Sequence, residues 1–148
     1  MSEFRKQFIA FCIDCGVLRF GRFETKAGRM SPYFFNAGLF NDGAMLGRLG
    51  QFYAKAILAT DHPFDMLFGP AYKGIPLVAS VAIALDRQER GAGERSAVQE
   101  IREHFGLPVI AIADLDDLVR FLGAEPDLAQ QLIEIGHYRQ LYGADAHA

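Results

Sequence analysis

Between residues 3 and 15 the apolar side chains Phe4, Phe8, Phe11 and Cys12 recur at three- and four-residue intervals, which places them on one face of a helix. Val17, Leu18, Phe20 and Phe23 then sit among glycines, as residues of short strands do, and residues 17 to 38 read as a small β-rich hood. Asn41-Asp42-Gly43 supplies cap chemistry, and behind it Leu46, Leu49, Phe52, Tyr53, Ala56 and Ile57 recur at helical spacing. A short apolar run, Phe64 to Phe68, lies between Pro63 and Gly69-Pro70 and suits a strand feeding a tight loop. Residues 75 to 85 are nearly all apolar and are expected to form a helix.

In the second half, Ser96 and Gln99 have capping-box spacing and open a helix through Phe105, which Gly106 and Pro108 end before the apolar strand Val109 to Ile112. Asp114 is read as the cap of a short helix carrying Leu115, Leu118, Val119 and Leu122. Pro126 starts a last helix carrying Leu128, Leu132, Ile135 and Tyr138, with Gly143 at its end and a frayed tail after it. This order contains an anomaly. A parallel α/β sheet alternates strand and helix, yet the expected helix at 75 to 85 runs into the helix at 96 to 105 with no strand between them. A nearly all-apolar helix is normally covered by several strands, so association with a partner is expected.

Composition narrows the function classes. The chain has 148 residues, 51% of them hydrophobic, enough for one domain with a sizeable core. Its 15 basic and 18 acidic residues are interspersed and give a formal net charge of -3, which is no footprint for nucleic acid or an anionic membrane. No stretch approaches the length of a membrane span and no secretory leader is expected, so the expected location is cytoplasmic. Cys12 and Cys15 have the C-x-x-C spacing of a redox pair or half a zinc site, but they end a helical apolar stripe and lack a second ligand pair. They are read as structural. His62, His104, His137 and His147 are scattered and read as surface or packing residues.

Three polar stretches carry candidate chemistry. The loop Phe68-Gly69-Pro70-Ala71-Tyr72-Lys73-Gly74-Ile75 can offer backbone N–H groups and a lysine to a phosphate or pyrophosphate. Lys26-Ala27-Gly28-Arg29-Met30-Ser31-Pro32-Tyr33-Phe34-Phe35-Asn36-Ala37-Gly38 sets cations and aromatics beside turn residues, as a site for a flat anionic ring does. Asp86-Arg87-Gln88-Glu89-Arg90-Gly91 is a dense polar hexapeptide directly after apolar sequence, and spacing alone leaves it readable as a solvated connector.

Together these stretches resemble the marks of bacterial orotate phosphoribosyltransferases, from about residue 3 to 85 and again from 86 to about 142. The resemblance implies an α/β fold: a truncated phosphoribosyltransferase-type parallel sheet in one domain over 1–148, with an N-terminal β-rich hood and C-terminal helices. It implies orotate and phosphoribosyl pyrophosphate as substrates, Mg²⁺ carried on the pyrophosphate, no metal ligands of the chain's own, and a homodimer. It also implies roles for residues. Lys26 would contact the ribose pyrophosphate, Phe34 and Phe35 would line the orotate pocket, and Tyr72 and Lys73 would hold the pyrophosphate side. Arg87 would reach the orotate carboxylate, a role suited to a planar guanidinium.

The departure from the family is as specific. Family members carry a mobile loop rich in Arg, Lys and His, then a strand ending in paired acids and a Thr/Gly-rich phosphate loop, and none of these is in this chain. Val109 to Asp117 is the nearest imitation, but Leu118-Val119-Arg120-Phe121 comes next, with no glycine or threonine to cradle a phosphate. An in-frame deletion at about 85/86 is inferred, which leaves no assignable catalytic residue. Arg87 is then expected to follow a helix where the family has a strand, and so to be displaced from the pocket. The resemblance implies orotidine 5'-phosphate synthesis in the pyrimidine pathway, with a non-catalytic orotate-binding or dimerising remnant as the alternative.

Overall fold

The computed structural model describes residues 1–25, 27–60, 81–91, 93–106 and 108–144, without the side chains of Val81 and Phe105. In chain order its elements are α1 (Glu3–Asp14), β1 (Leu18–Glu24), β2 (Met30–Phe35), α2 (Gly43–Leu58), β3 (Val81–Asp86), α3 (Ala97–Phe105), β4 (Val109–Asp114), α4 (Leu115–Gly123) and α5 (Ala129–Tyr142). Single 3₁₀ turns at Ala37–Leu39 and Pro126–Leu128 precede α2 and α5.

The predicted stripe of α1 is buried at Phe8, Phe11 and Cys12, and Phe8 and Phe11 meet Phe52 of α2 at ring-centroid distances of 5.4 and 5.7 Å. Phe40 stacks on Phe11 at 5.5 Å. Each fully buried side chain of this kind contributes about 1.5–3 kcal/mol, against about 1 kcal/mol for a good helix cap. The aromatic cluster therefore holds α1 and α2 together, and the caps fix where each helix begins. Asp42 accepts from the Met45 N–H at 2.7 Å to start α2, and Ser96 and Gln99 complete the expected capping box of α3. Gly106, at φ 62°, ends α3 in the left-handed region that glycine enters without strain.

The hood forms as expected. β1 and β2 pair antiparallel from Leu18 opposite Phe35 to Glu24 opposite Met30, with an irregularity between Phe20 and Phe23. β3 and β4 pair parallel, from Val81 opposite Val109 to Asp86 opposite Asp114. α1, α2 and α3 pack on β4, and α4 and α5 pack on each other. Leu115, Leu118, Leu122 and Ile135 are buried between these elements, continuous with Val17, Leu18 and Tyr33 of the hood.

One expectation is overturned in part. Residues 81–86 are a strand and not the end of a helix, and β3 stands where no strand was expected before α3. Val81-Ala82-Ile83-Ala84-Leu85 is apolar at every position, so its pattern cannot separate a helix from a buried parallel strand. Pairing with β4 decides it, because tertiary hydrogen bonding overrides alanine's helical preference. The expected strand at Phe64 to Phe68 and the rest of the 75 to 85 stretch lie outside the described residues. So do Lys26, Tyr72 and Lys73.

The cysteines are structural in the described fold. Both are free thiols, Cys12 is buried, and burial, helped by Cys15, pushes its thiol well up, the reverse of what a reactive cysteine needs. Among the described residues no helix is long and apolar enough to cross a membrane.

Candidate binding site

β3 ends at Asp86, and the chain turns sharply there. The Asp86 carboxylate accepts the Gln88 N–H at 2.9 Å, and Gln88 takes the left-handed backbone at φ 51°, the one non-glycine described residue that does so. A left-handed residue costs about 1–2 kcal/mol outside glycine, so neighbouring contacts have to hold it. They are on hand: the Gln88 carbonyl accepts from the Ala144 N–H at 2.8 Å, and its side-chain amide donates to Asp116 at 3.2 Å. The turn brings the side chains of Arg87 and Glu89 together.

Arg87 is delivered from this turn onto one face of β2. Its guanidinium carbon lies 4.3 Å from the centroid of the Tyr33 ring, within cation–π range. Its Nη2 donates to Ser31 Oγ at 3.1 Å, and Nη2 and Nε lie 2.6 and 2.8 Å from Glu89 Oε1. Ser31 and Tyr33 are buried, and Ser31 Oγ donates to the Tyr33 carbonyl at 2.7 Å. Burial works against the charge on Arg87, but its neighbours, the bonded Glu89 carboxylate among them, outweigh burial and hold the guanidinium above its ordinary value. Burial is also the main reason that the Tyr33 phenol is pushed far up, so it faces Arg87 as a neutral ring. The site thus offers a fixed, half-buried cation backed by a buried aromatic ring.

The backbone of this segment is tied down on both sides. Arg90 N–H donates to the Tyr142 carbonyl at 2.9 Å, and Arg29 of the hood donates to the Arg90 carbonyl at 3.0 Å while lying over the Tyr142 ring at 5.1 Å. Asp86 also lines a cavity of about 610 Å³ that extends along β4 past Asp114 to Thr60 and Arg102.

Of the residues singled out from sequence, Arg87, Phe34 and Phe35 are described. Strand alternation separates the two phenylalanines: Phe34 is 40% exposed and stacks on Phe23 at 5.5 Å, whereas Phe35 lies on the Ser31–Tyr33 side, partly buried against the core. The expected displacement of Arg87 falls with the helix that motivated it, since Arg87 follows a strand. Ser31, Tyr33, Gln88 and Glu89 fall inside the stretches marked in the sequence, where none of them was given a role of its own. Period-two alternation along Met30–Phe35 could have singled out Ser31 and Tyr33, which share a face. Asp114 caps α4 as expected, accepting the Asp117 N–H at 2.9 Å in a full capping box.

Comparison with known proteins gives a consistent picture. No family model matches the chain. The orotate phosphoribosyltransferase of Nitrosospira multiformis is 44% identical over 212 residues, which covers 97% of this chain and 93% of the relative. That of Laribacter hongkongensis is 43% identical over 211 residues, covering 97% and 99%. Among solved structures, the orotate phosphoribosyltransferase of Francisella tularensis superposes with a TM-score of 0.82 at 29% identity, covering 93% of this chain and 100% of that one. The UMP synthase of Leishmania donovani, at 15% identity and a TM-score of 0.64, shares the fold over 92% of this chain and 42% of that one.

Proposed function

The chain belongs to the orotate phosphoribosyltransferase family of pyrimidine biosynthesis, and we propose that what it retains of that enzyme is the orotate half of the site. The family's reaction transfers phosphoribosyl from phosphoribosyl pyrophosphate to orotate and yields orotidine 5'-phosphate. In this reading Arg87 holds the orotate carboxylate and Phe35, on the same strand face, lines the ring pocket, whereas Phe34 faces away from it, and Lys26, Tyr72 and Lys73 serve the pyrophosphate side. The observation that carries it is the delivery of Arg87 from the end of β3 onto the Ser31–Tyr33 face, within 4.3 Å of an aromatic ring centroid.

The ribose-phosphate half is the part we infer to be missing. The 212-residue match is 64 residues longer than the 148-residue chain, which supports an internal gap of that order. Mg²⁺ belongs to the substrate in this scheme. In this reading its ligands are pyrophosphate oxygens and water. A homodimer and a cytoplasmic location are part of the same proposal.

Calorimetric titration with orotate, and with uracil as the analogue without a carboxylate, tests the reading. Orotate should bind more tightly than uracil, and Arg87→Ala should weaken orotate about tenfold to a hundredfold, the scale of one charge-assisted hydrogen bond. Equal affinity of both proteins for orotate would remove Arg87 from the site.

A further inference from the structure

We propose that Glu89 is the resident occupant of the carboxylate-binding edge of Arg87, and that a ligand carboxylate has to displace it to be held by two nitrogens. This deepens the reading of Arg87 given above and rests on it. A guanidinium has five N–H groups, one on Nε and two on each Nη. In this chain Nε and Nη2 both point at the single oxygen Oε1 of Glu89, at 2.8 and 2.6 Å, and Nη2 also donates to Ser31 Oγ at 3.1 Å. Only Nη1 is left without a partner among the described residues. A carboxylate held bidentately spans two different nitrogens, so Nη1 alone gives a ligand half of that grip.

Arg87 cannot readily turn to present a fresh edge. The buried Tyr33 ring lies against its guanidinium, and Ser31, on the same strand face, anchors Nη2. Glu89 is the freer partner. Its backbone is fixed by a bridge to Gly143, but its carboxylate meets Arg87 through one oxygen; the Tyr33 hydroxyl reaches that same oxygen at only 3.4 Å, and Tyr138 adds an electrostatic contact without a well-formed hydrogen bond. Both side chains keep contact with solvent, 26% for Arg87 and 18% for Glu89, so a solute can reach the pair. The ligand class is a planar ring bearing a carboxylate, as in the reading above: the anion takes the place of Glu89, while the buried Tyr33 ring backs Arg87. Glu89 then sets specificity, since a neutral ring has nothing with which to displace it.

The test is orotate titration of the whole chain and of Glu89→Gln, with uracil as control. The variant should bind orotate about tenfold more tightly, as one charge-assisted hydrogen bond recovered would give. Uracil affinity should not change. The gain should persist at about 1 M salt, where the screening length is about 3 Å, because it comes from a vacated contact and not from a longer-range field. A gain that disappears in salt would overturn the proposal in favour of simple charge repulsion. Orotate binding that is unchanged or weaker in the variant would overturn it while leaving Arg87 as the carboxylate residue. Orotate binding by neither protein would overturn both. If Glu89→Gln fails to unfold cooperatively, Glu89→Asp, which withdraws the carboxylate by one methylene, should show a smaller gain in the same direction.

Discussion

β3 and β4 lie side by side in register, each ending in an aspartate opposite the other, and from Asp86 and Asp114 they part. At the end of β4 the Asp114 side chain accepts the N–H three residues on, Asp117 returns the bond, and α4 begins at once. At the end of β3 the Asp86 side chain accepts the N–H two residues on, and the next backbone is left-handed at Gln88. The first arrangement satisfies the open end of a helix, and the second presents Arg87 and Glu89. An acid at the end of a parallel strand is therefore no signature of chemistry in itself. The residues after the acid decide: Asp114 is followed by Leu115 to Leu122 with no glycine or threonine to cradle a phosphate, and Asp86 by a turn of charged and amide side chains.

The largest expected effect tests that distinction directly. The chain as it stands should not convert orotate with phosphoribosyl pyrophosphate and Mg²⁺, followed as loss of orotate absorbance. A version with the family's segment restored ahead of β3, which leaves Val81–Asp86 and Arg87 joined, should. Binding energy at the non-reacting 5-phosphate helps to position the sugar, so its loss should lower the rate as well as the affinity. Sustained turnover by the unaltered chain, free of host enzyme, would refute this and require a phosphate site elsewhere in the chain.

A smaller effect is expected at Gln88. Valine is strained in the left-handed region, so Gln88→Val should cost about 2 kcal/mol or more and separate Arg87 from Glu89. Gln88→Gly removes the strain but gives up the bond to Asp116, and should change stability by less than about 1 kcal/mol. Urea midpoints at constant slope measure both. Equal losses for the two would place the importance of Gln88 in its side chain and not in its backbone.

Legibility in the sequence divides along the same line. Caps and stripes act over three or four residues, and Asp42, Ser96 with Gln99, and Asp114 each start the helix expected of them. The hood was legible because its strands are short and punctuated by glycine. β3 was not, since an apolar run that pairs with a distant partner has no local period to betray it. The same holds at the site. Arg87 was reached through motif resemblance, but its contacts with Ser31 and Tyr33 span more than fifty residues of sequence and come from the packing of the hood against the end of β3. Glu89 was overlooked because its pairing takes meaning only from where Ser31 and Tyr33 hold Arg87, and those contacts are distant in sequence.

The smallest expected effect separates the two strand ends by pH. Asp116, in the first turn of α4, accepts from Arg139 at 2.6 Å and from Gln88 at 3.2 Å, so it ties the β3 turn to α5. Burial alone would raise its pKa, but the hydrogen bonds from Arg139 and Gln88 outweigh burial and hold it below the ordinary carboxylate value. The folded chain therefore gives up this proton more readily than the unfolded one. The resulting stability is present above about pH 4, the unfolded carboxylate range, and is lost as pH falls through the lower folded value. Asp114 has the opposite sign. Burial is the main reason that its pKa is raised, so its contribution is a cost at neutral pH that is relieved as pH falls through the raised folded value. Asp116→Asn should thus flatten the acid loss of stability by about 0.2–1 kcal/mol, the range for solvent-exposed ion pairs. Asp114→Asn should steepen it by a comparable or smaller amount, because asparagine keeps the cap and removes only the titration. Urea unfolding of the three proteins from pH 7 down to about pH 3 measures both slopes. Slopes that move in the same direction in the two variants would show that the strand ends share one electrostatic environment, and that their difference lies in backbone conformation alone.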